Sequence, residues 1–340
     1  MTVSVYPSID EAAIDRAVEI LTAGGLVAIP TETVYGLAAD ADNEAAVLAT
    51  FAVKNRPTNH PLIVHVADPC ALDAWAINIP PEARLLVKTF WPGPLTLVLK
   101  KADRCGGFVT GNQDSVALRC PSHPWTHELL KRFSGNNYKG LTAPSCNTFG
   151  RISPTSAKHV FDDLGLKPDG KLDFILDGGI CEVGVESTMI NLSGDRPEIL
   201  RHGAVTREML EAVLKRPVPD AGSNAPRASG RLKSYYAPKT KLEIVPSQSL
   251  RSRIEELKGK KLAVMASKET LISVKDWGFF SIEAPATLKS YAHGLYENLH
   301  KLDSANADLI LVEAPPSLPD WAAVNDRLGR AAAEKNENAK

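Results

Sequence analysis

The sequence is short of the features that usually assign a chain quickly. Its five cysteines, Cys70, Cys105, Cys120, Cys146 and Cys181, include no CxxC pair, and their odd number argues against a disulfide framework. A reducing cytoplasm is the expected compartment. Aromatic residues make up only 6%, and nothing interleaves them with basic residues, so the stacking groove of a nucleic-acid binder is not expected. The net charge of -1 gives no global field to draw in a polyanion, and leaves any RNA contact local and weak. No apolar run approaches the roughly 18 residues of a membrane span. The opening "MTVSVYPSIDEAAIDRA" is acidic early and has no long apolar run, unlike a signal peptide. GxxxxGK[ST], a true GxGxxG and the GxSxG elbow are all missing. His123 and His127 stand four apart beside Glu128, but not in the HExxH order of a zinc site.

What is present is ample apolar material. Apolar residues reach 44% of 340, enough for a sizeable core, and the length favours two domains. Helical periodicity over 8–24, with Ser8 and Glu11 spaced as a capping box, leads into the buried run "LVAIP". Further helices are predicted at "NEAAVLATFAVKNRP", stopped by Pro57, and at "PPEARLLVKTFW", "WTHELLKRFS", "TSAKHVFDDLG" and "TREMLEAVL". Strands are predicted at "PLIVHVAD", "PLTLVLKKA", "SVALRCP", "GLTAPSCN", "FILDGG", "VGVESTMINLS" and "EILRHG". Helices and strands alternate, so the class is α/β with a mixed sheet. At 216–240 the composition turns to Pro, Ser, Gly and Ala without periodicity, as in a linker. Strand and helix patterns resume over 241–340, suggesting a small Rossmann-like unit with the frayed tail "EKNENAK". The expected organisation is thus a domain over 1–215, a linker over 216–240 and a second domain over 241–340.

The polar residues collect at the ends of the predicted strands. Thr31, Thr33 and Tyr35 follow "VAIP" on a bend, where hydroxyls either line a crevice or cap the next turn. Lys54 and Arg56 are two apart at a helix end, a spacing that suits phosphate and equally suits a solvated helix C-terminus. Arg119 and Arg201 end apolar strands, where an unpaired charge is costly, so each should meet an anion or a carboxylate. Thr142, Ser145, Asn147, Ser153 and Thr155 crowd one loop that could cradle phosphate through hydroxyls and N–H groups. Ser187 and Thr188 interrupt an apolar run and need partners or a pocket.

The segments "PTETVYGL", "KNRP" followed by "PLIVHV", "SCNTFGRISPT", "VESTMINL" and "LRHGAVT", in that order, make the first 210 residues resemble the YrdC-like domain of threonylcarbamoyl-AMP synthases. The whole chain resembles the two-domain form of that family. The resemblance implies a twisted mixed sheet with a deep cavity, a Rossmann-like C-terminal domain, and a linker that folds over the cavity as a lid. It implies a nucleotidyltransferase that joins L-threonine, bicarbonate and ATP, with magnesium, into L-threonylcarbamoyladenylate and pyrophosphate. The product would pass to a separate transferase complex for the t6A37 modification of tRNA. Carried over by motif, Thr31, Thr33, Tyr35, His65, Arg119, Thr142 and Ser187 are expected on the threonine side, and Lys54, Arg56, Ser145, Asn147, Arg201 and Tyr235 on the ATP side. Lys54, Arg56 and Arg119 are expected to carry the catalysis, with no protein-held metal. His65 is the candidate general base by its ordinary pKa, and an orienting role is open to it as well. Departures from the family pattern are Cys146, Phe149, Ser229, Arg231 and Tyr235, where alanine, serine, proline, methionine and histidine are usual. They leave open a paralogue that acts on another amine or carbamoyl donor. A non-catalytic RNA-binding protein on the same fold is the alternative from another class.

Overall fold

The structure is a computed structural model; it describes residues 10–274 and 278–333. Ser8 and the tail 334–340 lie outside the described residues. The chain divides into two compact units, one of residues 1–149 and 154–231, the other of residues 150–153 and 232–340. The division therefore falls inside the predicted linker, and a four-residue piece of the polar loop belongs to the second unit. Its reason is local hydrogen bonding. The Gly150 carbonyl accepts the Ala237 N–H at 2.8 Å, Arg151 donates to the Pro238 carbonyl at 3.2 Å, and His300 lies 3.2 Å from the Ser153 carbonyl.

The first unit is built on nine strands: β1 Val27–Ile29, β2 Gly36–Asp40, β3 Ile63–His65, β4 Leu95–Lys100, β5 Ser115–Arg119, β6 Leu141–Thr142, β7 Phe174–Ile175, β8 Thr188–Asn191 and β9 Glu198–Arg201. Their spatial order is β7-β1-β2-β6-β3-β5-β4-β8-β9, with β1–β7, β3–β5 and β4–β8 parallel and the other pairs antiparallel. β2 does not stand out in the sequence because its residues are small. Gly36 is required there: a Cβ would meet the Ala143 Cβ at 2.9 Å, so only glycine lets β2 and the segment after β6 approach.

The helix Glu11–Thr22 is capped by Asp10, whose carboxylate accepts the Ala13 N–H. It buries Ile14, Ala17 and Leu21, with Ile14 and Leu21 each contributing about 1.5–3 kcal/mol by leaving water. Leu21→Ala would cost about 2–5 kcal/mol by opening a cavity. The helix Glu44–Lys54 ends not at Pro57 but at Asn55, whose φ of 52° is the left-handed cap that asparagine tolerates. That turn sets Arg56 outside the helix, with its N–H on the Phe51 carbonyl at 2.9 Å.

The second unit carries four parallel strands, β10 Leu242–Val245, β11 Leu262–Ala266, β12 Phe280–Glu283 and β13 Leu309–Glu313, in the order β10-β13-β11-β12. This is the Rossmann-like arrangement expected from the alternation of patterns. Helix Lys268–Val274, which follows β11, has no clear signal in the sequence.

Candidate active site

Strand register decides which polar residues share a face. β3 and β5 run side by side with Ile63 opposite Ala117 and His65 opposite Arg119. β5 and β4 pair Ala117 with Val98, and β4 and β8 pair Thr96 with Met189. Alternation then puts His65, Arg119, Thr96, Ser187 and the apolar Ile63, Val98, Ala117 and Met189 on one face. Thr142 is opposite Val64, so it lies on the other face; its Oγ1 donates to the Ala39 carbonyl at 3.4 Å. The residue that β6 hands to the His65 face is Leu141, the register partner of His65, and Ala143 just past the strand follows it there with its N–H on the Ile63 carbonyl.

Two cations meet over this face. Arg56 donates through Nη2 to the Pro61 carbonyl and to Ser229 Oγ, both at 2.9 Å, and its guanidinium stacks 5.6 Å from the Phe149 ring. Arg201 donates through Nε to the Ser187 carbonyl at 3.0 Å, through Nη2 to Ser187 Oγ at 3.1 Å, and through Nη1 to the Ser229 carbonyl at 3.1 Å. Ser187 Oγ also lies 2.7 Å from Thr96 Oγ1. Gly203 makes this turn possible, because a Cβ there would strike the Thr188 nitrogen at 2.4 Å. Ser229 thus joins two arginines that lie far apart in the sequence, and Ala228 beside it packs on Ile63, Val98, Ala117, Met189 and Leu200. The hollow left between this strap and the sheet, lined by Ile63, Val98, Ser115, Ala117, Met189 and Ser229, measures about 10 Å³, room for one water.

Lys54 is fully buried and donates to the carbonyls of Ser145 and Asn147, both at 2.5 Å. Burial, and then the Arg56 charge, lower its pKa from 10.5 to about 7. So Ser145 and Asn147 are brought to Lys54 through their main chains, while the Asn147 amide donates to the Thr148 carbonyl. Cys146 between them is buried among apolar side chains, which push its thiol up to about 12, and it serves packing. His65 is buried with Nδ1 3.3 Å from the Ile63 carbonyl; burial and then the Arg119 charge push it down to about 3.

The first polar stretch divides by residue. Thr31 uses its hydroxyl on the bend itself, donating to the Val34 carbonyl at 2.7 Å and accepting the N–H of Thr33 and of Val34, with Thr33 Oγ1 at 2.8 Å. For Thr31, capping describes the geometry. Tyr35 sits in a different apolar cluster and donates its hydroxyl to the Gly179 carbonyl at 2.7 Å; burial keeps that phenol from ionising. Glu32 between them is the residue the pattern reading passed over. It forms an ion pair with Arg119, Oε1 to Nη2 2.7 Å, with side chains 3% and 5% exposed. A lone carboxylate in an apolar run, answering a lone cation at a strand end, was the available signal. Tyr235 belongs to the second unit, where it packs edge-on against Tyr236 at 4.7 Å and its N–H reaches the Arg330 carbonyl.

A larger hollow of about 810 Å³ lies in the second unit beside Lys258, Lys260, Lys261, Phe279 and Phe280. It opens where β11 and β12 begin, not at the carboxyl ends where α/β sheets bind ligands. The face carrying Arg56, Arg119 and Arg201 is the candidate site despite its small free volume.

A family model described as "Telomere recombination" matches residues 19–203, and one described as "Threonylcarbamoyl-AMP synthase, C-terminal domain" matches residues 205–333. The threonylcarbamoyl-AMP synthase of Pyrococcus abyssi is 37% identical over 97% of this chain and 96% of its own length. That of Bacillus subtilis is 36% identical over 96% of this chain and 94% of its own. The crystal structure of P. abyssi Sua5 complexed with L-threonine superposes with a TM-score of 0.85 at 36% identity, covering 96% of both chains.

Proposed function

The chain belongs to the threonylcarbamoyl-AMP synthase family, and from that membership we propose that it makes L-threonylcarbamoyladenylate and pyrophosphate from L-threonine, bicarbonate and ATP. The observation that carries the reading to particular residues is the meeting of Arg56 and Arg201 at Ser229, on the sheet face that also bears Arg119 and His65. Two guanidiniums turned toward one point suit a triphosphate. Arg119, two strands away from Ser187, suits the carboxylate of the amino acid. A carbamate formed on the threonine nitrogen is labile in water, so its attack on the α-phosphorus of ATP needs a closed site. The strap over 216–231 acts as that lid, and its present seat, with room for one water, must open before substrates enter. Arg56, Arg201 and Lys54 then offset charge on the transferring phosphoryl group and leaving pyrophosphate, about 3 kcal/mol for each well-placed donor. His65 holds and orients; a group pushed down to about 3 is a poor proton acceptor at neutral pH.

Among the described residues no cluster of three or more Asp, Glu, His or Cys side chains offers a metal cage. Magnesium, in this reading, belongs with the triphosphate oxygens. Among the described residues no helix is long and apolar enough to cross a membrane. The adenylate would serve t6A37 modification of tRNA in the cytoplasm through a separate transferase.

The test is pyrophosphate release from ATP and bicarbonate with a panel of amino acids and mass detection of the adenylate. Release that depends on L-threonine is expected. A second reading, another amine as substrate, is favoured by Phe149 under Arg56 and by Ser229 and Arg231 in the strap, where the family usually has other residues. Release with a different amine and none with threonine would select it; no release with any amine would end both.

A further inference from the structure

Glu32 is the one charged residue of the run 26–39, all of it buried. Its carboxylate is anchored on one side only, with Oε2 accepting the Ser122 N–H at 3.1 Å. Arg119 is tethered likewise, its Nε donating to the Gly93 carbonyl at 3.4 Å. The two free ends face each other, Oε1 to Nη2, 2.7 Å apart, in charge contact but out of hydrogen-bond alignment. Among the described residues neither atom has an aligned hydrogen bond. The contrast with the surface is informative. Arg104 grips Asp42 at both oxygens, 3.0 and 2.6 Å, although both side chains are more than a quarter exposed. A pair whose purpose is to pin a loop aligns in that way. A deeply buried pair that leaves one acceptor and one donor without an aligned hydrogen bond keeps part of its desolvation cost, and such atoms call for a partner.

We propose that Glu32 reads the α-ammonium of the amino-acid substrate, so that Glu32 Oε1 and Arg119 Nη2 together form a two-point receptor for a zwitterion. This rests on the reading above that Arg119 holds the substrate carboxylate. An α-amino acid presents an anionic and a cationic group on one carbon, and the pair presents the complementary charges side by side. The pair is neutral in sum, as the zwitterion is, so exchanging one ion pair for two leaves no charge uncompensated. A plain carboxylate would take Arg119 from Glu32 and leave the Glu32 charge with nothing to offset it. The imidazoles nearby do not disturb the balance: burial keeps His65 and His123 neutral, pushed down to about 3 and about 4.

The test is calorimetric binding of L-threonine and of 2,3-dihydroxybutyrate, the analogue with hydroxyl in place of amine, to the full chain and to Glu32→Gln and Glu32→Asp. The unsubstituted chain is expected to prefer threonine. Glu32→Gln should weaken threonine by about 10- to 100-fold, the span of a lost charge-assisted contact, while the analogue changes less than about 3-fold. Glu32→Asp keeps the charge, and should keep the preference with a smaller loss; it carries the test if the glutamine variant does not fold. Equal weakening of both ligands, or threonine binding unchanged in Glu32→Gln, would overturn the proposal. A chain that binds no amino acid at all while staying folded would instead sink the reading of the site on which the proposal rests.

Discussion

Lys54 rests its ammonium on two peptide carbonyls in a fully buried position, so its charge is held by dipoles. Its pKa lowered to about 7 has two consequences with definite signs. Above pH 7 the free enzyme loses this charge, so kcat/KM for ATP should fall with rising pH on an apparent pKa near 7, read from a steady-state pH profile. For stability, the unfolded chain binds more protons between pH 7 and 10.5, so stability should rise with pH across that window. Lys54→Met should abolish the rise, as urea midpoints at pH 7 and 9 would reveal. Removing Lys54 also leaves two buried carbonyls bare, so this variant should be less stable as well as inactive, whereas Arg56→Ala should lose activity with the smaller structural effect. His65 is depressed from 6.5 to about 3, so it contributes stability at neutral pH that is lost as pH falls from 6.5 toward 3. His65→Asn should flatten that acid limb in denaturation curves. The need of Arg119 for a partner could be read from its place at the end of an apolar strand. That the partner is Glu32 depends on folding bringing the loop after β1 to the end of β5, across three intervening strands, which no local pattern encodes.

Among elements, the strap over 216–231 departs most from its sequence reading. It lacks periodicity because it forms no helix or strand of its own, yet it is not loose: Ala228 is in the core, and Ser229 bridges Arg56, Pro61 and Arg201. Ser229 Oγ occupies a donor of Arg56 that a phosphate oxygen would use. Ser229→Ala should therefore ease opening and lower the KM for ATP a few-fold, with kcat little changed; an unchanged or higher KM in pyrophosphate-release kinetics would contradict this. Arg201 keeps its bond to the Ser229 carbonyl in that variant, so the strap stays tied at one end. Long strands and helices were legible from period and caps. β2 and the helix Lys268–Val274 were not, the first because small residues carry little pattern and the second because it is short. The stop at Asn55 was missed for a different reason: Pro57 is the stronger local signal, but a left-handed asparagine had already ended the helix.

For the whole molecule, residues 150–153 belong with the second unit, because they bond to 237–238 and lie against His300. A chain cut after Arg231 keeps the strap, but leaves the Gly150 and Ser153 carbonyls without those partners. It should fold, lose most pyrophosphate release, and show faster amide exchange around 150–153 than the full chain. Retained kinetics in the cut chain would remove the second unit from the reaction.

The order of five polar motifs behind apolar strands determined the family, the α/β class and the set of cations, because residue type and spacing are linear properties. Only the tertiary structure decided how those residues combine. Register moved Thr142 off the face that holds His65 and Arg119, since alternation turns on a single residue of pairing. Folding also matched Glu32 to Arg119 and seated Ser229 between two arginines, since a buried charge needs a partner while the sequence does not say which part of the chain will supply it.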